Sequence, residues 1–193
     1  MVIYLIRHSM PDVQPDVCYG QSDVGVLKWH FERTVKRLKK QLILKKNVDI
    51  FSSPAKRCVQ LARALSKSKC RVKVDWRIME LNFGSWEMKS WEDIDDDALL
   101  SWCKDVINEK VPDGESYAQL YERACDFWRW LTAKEYEEAV ICTHGGVIKA
   151  ILTCVLEMPL KNSLSFQFRY GDAIRIEWNG HHPSLVEFIS RDS

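Results

Sequence analysis

Five side chains that suit phosphoryl chemistry stand at scattered positions in the sequence. Arg7 and His8 occur together in the stretch L-I-R-H-S-M-P-D, and Arg57, Glu80 and His144 follow much later. Guanidinium groups bind phosphoryl oxygens through paired hydrogen bonds and offset their charge. A neutral imidazole can attack phosphorus and carry the group covalently, and a carboxylic acid can protonate a leaving alcohol. If the fold brings them together, these residues indicate phosphomonoester chemistry.

Each of these residues alone has an ordinary explanation, such as a charged group on a solvated surface or a turn before a helix. The set becomes informative because each member follows a predicted strand. Arg7 and His8 follow the first strand, Arg57 the second, Glu80 the third and His144 the fourth. In sheets of parallel strands, ligands bind beyond the carboxyl ends of the strands. We therefore expect one site there, with nearby arginine charge lowering the pKa of His8 and keeping it neutral.

Hydrophobic patterning predicts the elements that must position this site. Short apolar or alternating runs predict strands at Val2–Ile6, Val48–Phe51, Arg71–Trp76, Ala139–Cys142, Leu164–Phe168, Ala173–Trp178 and Leu185–Ile189. Helical periodicity predicts amphipathic helices at 27–42, from 54 to about 65, at 117–131 and from 145 to about 156. Ser53 is expected to cap the second helix with Pro54 at its first position, and the backbone N–H groups that follow His144 are expected to add to the anion site.

The order of these elements, βαβαβ, an insertion, βα and closing strands, predicts an α/β sandwich around a mostly parallel sheet. Residues 1–193 are expected to form one domain, with a helical insertion or lid at about 85–115 that contains Trp86, Trp91 and Trp102. Two capping boxes are predicted, one at Ser90-x-x-Asp93 and one at Ser116-x-x-Gln119.

Composition excludes several other classes of protein. The 28 basic and 27 acidic side chains give a formal charge of +1, which argues against a nucleic-acid or membrane-surface protein. The apolar stretch 139–160 is interrupted by charged residues and does not predict a membrane span. No signal peptide is recognisable, and the seven cysteines lack C-x-x-C spacing. We therefore expect reduced thiols and a cytoplasmic location.

Other phosphatase designs fit the sequence less well. Cysteine-dependent phosphatases need Cys-x5-Arg, whereas Cys58 and Arg63 are one residue too close and lie within a predicted helix. An aspartyl-phosphate enzyme needs its nucleophile directly after a strand, but the acidic run 93–97 lies in the polar insertion. No G-x-S-x-G motif is present. No cluster of metal-ligating residues stands out, so neither a metal nor another cofactor is expected.

These residues resemble the histidine phosphatase superfamily, also called the phosphoglycerate mutase-like family, over nearly the whole chain. L-I-R-H-S resembles the R-H-G signature of the family, S-S-P-A-K-R-C its second-arginine segment, and T-H-G-G-V-I its second-histidine segment. The resemblance implies a three-layer α/β/α sandwich with a mixed sheet. It implies that His8 is the phosphorylated nucleophile and that Arg7, Arg57 and His144 hold the phosphoryl group. Glu80 is then the general acid that later activates water.

Within the family, C-Y-G-Q-S-D-V, E-L-N-F-G-S-W-E and P-D-G-E-S are most similar to the α-ribazole phosphatase subgroup, which dephosphorylates α-ribazole 5′-phosphate during assembly of the cobalamin nucleotide loop. Resemblance also assigns substrate contacts to Gln14, where many members have Asn, to Gln21 and Ser22 over the phosphate, and to Gly145. Ser9 replaces the usual glycine after R-H. The tryptophans of the insertion are expected either to pack the core or lid, or to form a wall for a flat base.

Three alternatives remain open at this point. A sugar-phosphate or nucleotide phosphatase of broad specificity would use the same residues, and a mutase would retain the phosphoryl group for a second transfer. A protein that binds phosphate ligands without turnover is the alternative from a non-enzymatic class. In each case the expected partner is a small phosphomonoester, and the sequence does not predict an oligomeric state.

Overall fold

A computed structural model describes residues 1–66 and 71–189, and a six-stranded mixed sheet lies at its centre. The strands are β1 (Val2–Arg7), β2 (Asp49–Ser52), β3 (Val72–Val74), β4 (Glu138–Thr143), β5 (Ala173–Trp178) and β6 (Pro183–Ile189). Their order across the sheet is β3-β2-β4-β1-β5-β6. The first four in that order are parallel, whereas β5 is antiparallel to β1 and β6 is antiparallel to β5. The predicted mixed, mostly parallel sheet is confirmed.

Helices cover both faces of the sheet. They are α1 (Lys28–Gln41), α2 (Lys56–Leu65), α3 (Asp96–Lys104), α4 (Tyr117–Thr132) and α5 (Gly145–Val155). Because side chains alternate along a strand, Ile3 and Leu5 of β1 pack with α4 and α5, and Tyr4 and Ile6 pack on the other face with α1 and α2. The predicted three-layer α/β/α sandwich is confirmed, with apolar central strands that are buried on both faces.

The register of the central strands brings the predicted residues to one edge of the sheet. Arg7 pairs with Thr143 across β1 and β4, so His8 and His144 follow at the same level. Ser52 of β2 pairs with Cys142 of β4, and the next residue, Ser53, donates its N–H to the Cys142 carbonyl. The carboxyl ends of three adjacent strands therefore open onto the same place.

Short 3₁₀ helices make up much of the irregular structure. They cover Trp76–Ile78, Gly84–Trp86, Trp91–Asp93 and Leu160–Ser165. The strand predicted at Leu164–Phe168 is wrong, because a 3₁₀ helix runs through Ser165 and the following residues pair with no strand. The apolar alternation there arises because the rings of Phe166 and Phe168 stack, with centroids 6.1 Å apart. The strand predicted at Arg71–Trp76 is shorter than expected, because Asp75 caps the 3₁₀ turn that begins at Trp76.

Helix capping agrees with the sequence at one predicted box and differs at two other positions. Ser116 and Gln119 form the predicted box at the start of α4. Ser53 does not cap α2, which begins at Lys56, because its hydroxyl bonds to His144 and accepts the Ala55 N–H instead. Ser90 caps only the 3₁₀ turn that follows it, and Asp95 caps α3. Within residues 1–66 and 71–189, no helix is long and apolar enough to cross a membrane.

Candidate active site

His8 lies at the end of β1 with only 1 % of its surface exposed. Its Nδ1 is 2.7 Å from the carbonyl oxygen of Ser9. A carbonyl can only accept a hydrogen bond, so Nδ1 carries the proton and Nε2 of the neutral ring keeps a free electron pair. Burial, followed by the charges of Arg57 and Arg7, holds the pKa of His8 well below its usual value, although the Ser9 hydrogen bond opposes the shift. The ring is therefore a neutral base with a defined tautomer.

Two guanidinium groups flank this imidazole. Arg57, which is fully buried, donates to the carbonyls of Ser22 and Gly20 at 2.7 and 2.5 Å. Arg7 donates to the carbonyl of Phe168, and its guanidinium carbon lies 3.9 Å from the centre of the Tyr170 ring. Among the residues that the structure describes, the Nε–H of each arginine has no hydrogen-bond partner. Both cations are fixed by neutral groups, and within residues 1–66 and 71–189 no carboxylate bonds to either of them.

His144 closes the same group of side chains from the end of β4. Its ring centroid is 5.1 Å from that of His8, and Arg57 Nη2 lies 3.3 Å from its Nδ1. Because arginine only donates, Nδ1 is the acceptor and Nε2–H donates to the Ser53 hydroxyl at 2.8 Å. Burial, then the charges of His8, Arg57 and Arg7, lowers the pKa of His144 well below its usual value. A bound anion beside Nδ1 would favour the protonated ring.

Glu80 reaches the site from the irregular segment after β3. Its Oε1 accepts the N–H of Leu81 at 3.0 Å, and its Oε2 accepts the N–H of Gly146 at 3.2 Å. A Cβ at Gly146 would lie 2.3 Å from Glu80 Oε1, so glycine is what permits this close approach. The carboxylate is half-buried and lines a cavity, where it can exchange a proton with a bound molecule.

The loop that carries Gln21 and Ser22 is bound to a carboxylate that the sequence did not single out. Glu87 accepts the N–H groups of Gln21 and Ser22 at 2.8 and 2.6 Å, and also the Ser22 hydroxyl. Gln21 Nε2 donates to the carbonyl of Glu80 at 3.0 Å. The two side chains are thus occupied in holding the loop, while its carbonyls hold Arg57.

The other residues singled out in the sequence have varied positions. Gly145 begins α5 and lines the cavity, and a Cβ there would lie 3.4 Å from Arg7 Nε. Gln14 is exposed in the loop after β1 and is not part of the cavity lining. Ser9 is fully buried with a negative φ, and its hydroxyl has no partner within the described ranges.

A cavity of about 600 Å³ lies beside this group. Arg7, Glu80, Gly145 and Lys149 line part of its wall. Aromatic side chains form much of the remainder: Tyr19, Phe83, Trp91, Trp102, Tyr117, Phe168 and Tyr170. His8 is almost fully buried and is not among the side chains that line the cavity.

The insertion tryptophans pack a small core and also line the cavity. Trp86 is buried with Cys18, Ile94 and Val111 in a small core of its own. Trp91 and Trp102 are stacked, with centroids 6.4 Å apart, and both line the cavity. Whether residues 85–115 move as a lid stays a prediction.

Sequence reasoning missed the residues that support the site from loops. Tyr19 and Tyr170 are hydrogen-bonded to each other at 3.0 Å, with ring centroids 6.5 and 5.6 Å from His8. Ser53, which the sequence assigned to a helix cap, contacts His144 instead. Only its place at the end of a strand pointed to a role in the site. In the part of the chain that the structure describes, no group of three or more metal-ligating side chains is present.

Several known proteins with similar sequences or structures carry phosphatase names. The protein named "Putative phosphoserine phosphatase 2" of Hydrogenobacter thermophilus is 27% identical over 190 residues, which are 95% of this chain and 93% of the relative. The adenosylcobalamin/alpha-ribazole phosphatase of Escherichia coli is 25% identical over 145 residues, 69% of this chain and 71% of the relative. The structure of the alpha-ribazole phosphatase from Shigella flexneri superposes with a TM-score of 0.90 at 23% identity, covering 98% of this chain and 96% of the other.

The first of these sequence matches extends over nearly the whole chain, and the structural match supports the fold. The family model of the histidine phosphatase superfamily (branch 1) matches residues 3–190, a range that includes Arg7, His8, Arg57, Glu80 and His144. The chain therefore belongs to the histidine phosphatase superfamily.

Proposed function

We propose that this phosphatase hydrolyses phosphomonoesters through a covalent phosphohistidine at His8. The observation that carries the proposal is the hydrogen bond from His8 Nδ1 to the Ser9 carbonyl. It leaves the electron pair of Nε2 available in a buried ring whose pKa is lowered. Two guanidinium groups lie near this ring, and no carboxylate of the described part of the chain bonds to either of them.

In the first step, Nε2 of His8 bonds to phosphorus as the bond from phosphorus to the ester oxygen breaks. The leaving oxygen takes a proton from the carboxyl group of Glu80. Arg7, Arg57 and His144 stabilise the charge on the three phosphoryl oxygens, which is the main contribution an enzyme makes to such a loose transition state.

In the second step, water attacks the phosphohistidine. The Glu80 carboxylate takes a proton from this water, the N–P bond breaks, and inorganic phosphate leaves. Both proton transfers need the carboxylate at the cavity side of the phosphoryl group, and Glu80 lines the cavity. The same group therefore serves as acid and then as base.

We propose α-ribazole 5′-phosphate as the substrate. Two of the similar proteins carry the name alpha-ribazole phosphatase. The stacked pair Trp91 and Trp102 lies in the wall of the cavity. Flat aromatic bases stack on such rings, and about 600 Å³ lies within the range of pockets that hold molecules of this size.

A second substrate class is supported by Lys149. This half-buried side chain lines the cavity and has no ion pair within the described residues, and burial lowers its pKa. A substrate with a second anionic group next to the phosphate, such as phosphoserine, would pair with this ammonium. The 27% identical relative carries a phosphoserine phosphatase name.

The enzyme mechanism is tested by assaying a chromogenic phosphomonoester in the presence of a chelator. We expect turnover with chelator present, an acid-labile phosphoenzyme after quenching, and at least about a 1,000-fold loss of kcat in His8→Ala. His181→Ala, at an exposed turn, serves as the control. No phosphate release from the wild-type protein would favour a binding protein, and normal turnover in His8→Ala would exclude the phosphohistidine.

The substrate is tested by comparing kcat/KM for α-ribazole 5′-phosphate, phosphoserine, sugar phosphates, nucleotides and phosphoglycerates. We expect the highest value for α-ribazole 5′-phosphate and at least about a tenfold loss for it alone in Trp91→Ala. A preference for phosphoserine that disappears in Lys149→Met would support the second class. Similar values throughout would indicate broad specificity, and isomerised phosphoglycerate without free phosphate would indicate a mutase.

A further inference from the structure

We propose that Arg123, held by Glu115, is a positioning residue that fixes Glu80 for proton transfer. The inference rests on the acid and base role of Glu80 proposed above. Arg123 lies on α4, and neither it nor Glu115 lines the cavity. Its effect on the reaction would therefore pass through the backbone that carries Glu80.

All the N–H donors of the Arg123 guanidinium group bond to other groups of the protein. It donates Nε–H and one Nη2–H to the two carboxylate oxygens of Glu115, at 3.0 and 2.5 Å. The remaining contacts go to backbone carbonyls: Nη1 to Arg77 and Met79 at 2.9 and 2.6 Å, and Nη2 to Glu80 at 2.9 Å. An arginine has five N–H donors in a rigid fork, and five hydrogen bonds are made. No donor is left for a substrate.

The backbone around Glu80 depends on these contacts because it has little regular structure. Residues 79–83 lie between two short 3₁₀ helices and belong to neither a helix nor a strand. Glu115 extends the clamp beyond Glu80, since its Oε1 accepts the Asn82 N–H at 2.9 Å and its own N–H donates to the Asn82 carbonyl at 3.0 Å. Hydrogen bonds therefore fix the backbone before Glu80, at Met79, and after it, at Asn82.

The buried position of the pair gives these hydrogen bonds their rigidity. Arg123 is 9 % exposed, and the side chain of Glu115 is 16 % exposed. Hydrogen bonds between charged groups are shorter and stronger than neutral ones, and a low dielectric strengthens them further. A shift of Glu80 by a fraction of an ångström would lengthen its contact with a leaving oxygen, and proton transfer is sensitive to that distance.

The test compares kcat/KM for an alkyl phosphomonoester, whose leaving group needs a proton, with that for p-nitrophenyl phosphate, whose leaving group does not. We expect Arg123→Met to lower the alkyl value about 100-fold and the p-nitrophenyl value by less than about threefold. Arg123→Lys keeps the charge next to Glu115 but loses the fork, so it should show the same asymmetry at smaller size and serves if Arg123→Met does not fold. Arg129→Met, on the exposed side of the same helix, should change neither value.

A double-mutant cycle with Glu80→Gln separates positioning from a general structural effect. If Arg123 acts through Glu80, adding Arg123→Met to Glu80→Gln lowers the alkyl kcat/KM by less than about twofold further. Equal losses for both substrates, or a full additional loss in the Glu80→Gln background, would overturn the proposal. If Glu80→Gln itself shows no dependence on the leaving group, the role of Glu80 in the proposed function fails instead.

Discussion

The two glycines that follow His144 face different side chains of the site. Gly145 packs against the Arg7 guanidinium, where a Cβ would be 3.4 Å away, a tight but possible distance. Gly146 packs against Glu80, where a Cβ would be only 2.3 Å from Oε1. The second glycine of the H-G-G sequence thus lets the Glu80 carboxylate approach the first turn of α5.

We expect Gly146→Ala to damage catalysis without unfolding the protein. Replacing glycine by alanine stabilises a helix by up to about 1 kcal/mol. The atom that the new Cβ would displace, Glu80 Oε1, is at the end of a flexible side chain. The carboxylate would move, and kcat/KM for an alkyl phosphomonoester should fall about 100-fold with little change in the melting temperature. Gly25→Ala is the control, because the nearest neighbouring atom, Asp12 Cβ, would be 3.9 Å from the new Cβ. Full activity in Gly146→Ala would contradict the close approach.

Ser9 stands where the family usually has glycine, and its backbone does not need one. Glycine at this position permits a positive φ, but Ser9 does not adopt one. Its side chain is fully buried, does not line the cavity, and leaves the carbonyl free to orient His8. The departure from the family glycine therefore leaves the tautomer of His8 intact.

At the scale of elements, the loop at Gly20–Ser22 links two parts of the site. Its carbonyls bind Arg57, and its N–H groups bind Glu87. Glu87 follows the 3₁₀ helix Gly84–Trp86 and also accepts the N–H of Phe83 at 3.2 Å. The position of a fully buried arginine thus depends on a carboxylate in the neighbouring segment.

We expect Glu87→Gln to loosen this loop. An amide places an NH₂ group where a carboxylate oxygen accepts hydrogen bonds from Ser22, so donors face donors. The free energy of unfolding should fall by about 2 kcal/mol, and kcat/KM should fall at least about tenfold as Arg57 loses fixed partners. Glu92→Gln, an exposed neighbour, should change neither quantity. Lower stability with unchanged kcat/KM would mean that the loop does not set the position of Arg57.

The ends of the strands were the predictable part of the site, and the loops were not. Apolar runs predicted β1, β2 and β4, and the residues that follow parallel strands must meet at one edge. The contacts of Ser53 and Glu87 depend instead on where irregular backbone passes, which no periodicity records. The strand prediction at 164–168 was wrong for a related reason. Alternation of apolar residues shows which side chains lie on the same side of the backbone, but not whether another strand pairs with it.

At the scale of the whole molecule, the site gives folding a dependence on pH. His8 and His144 are both buried next to arginine charge, and the pKa of each is well below the usual 6.5. In the unfolded chain both would titrate near 6.5. Below that pH the unfolded state binds more protons than the folded state, so the free energy of unfolding decreases as pH falls, and it is fully retained above about pH 7.

We expect the two histidines to contribute a slope of about 2.7 kcal/mol per pH unit below about pH 5.5, until the folded protein itself takes up protons. Urea unfolding between pH 5 and 7 in a buffer without phosphate measures this slope. His8→Asn should reduce it by about 1.4 kcal/mol per pH unit, whereas His181→Ala, which is exposed, should leave it unchanged. Carboxylates contribute equally to the pH slope of both variants. The difference between the two slopes therefore reports the buried imidazole of His8 alone. An unchanged slope in His8→Asn would show that His8 takes up its proton without unfolding, which would contradict a nucleophile kept neutral by the fold.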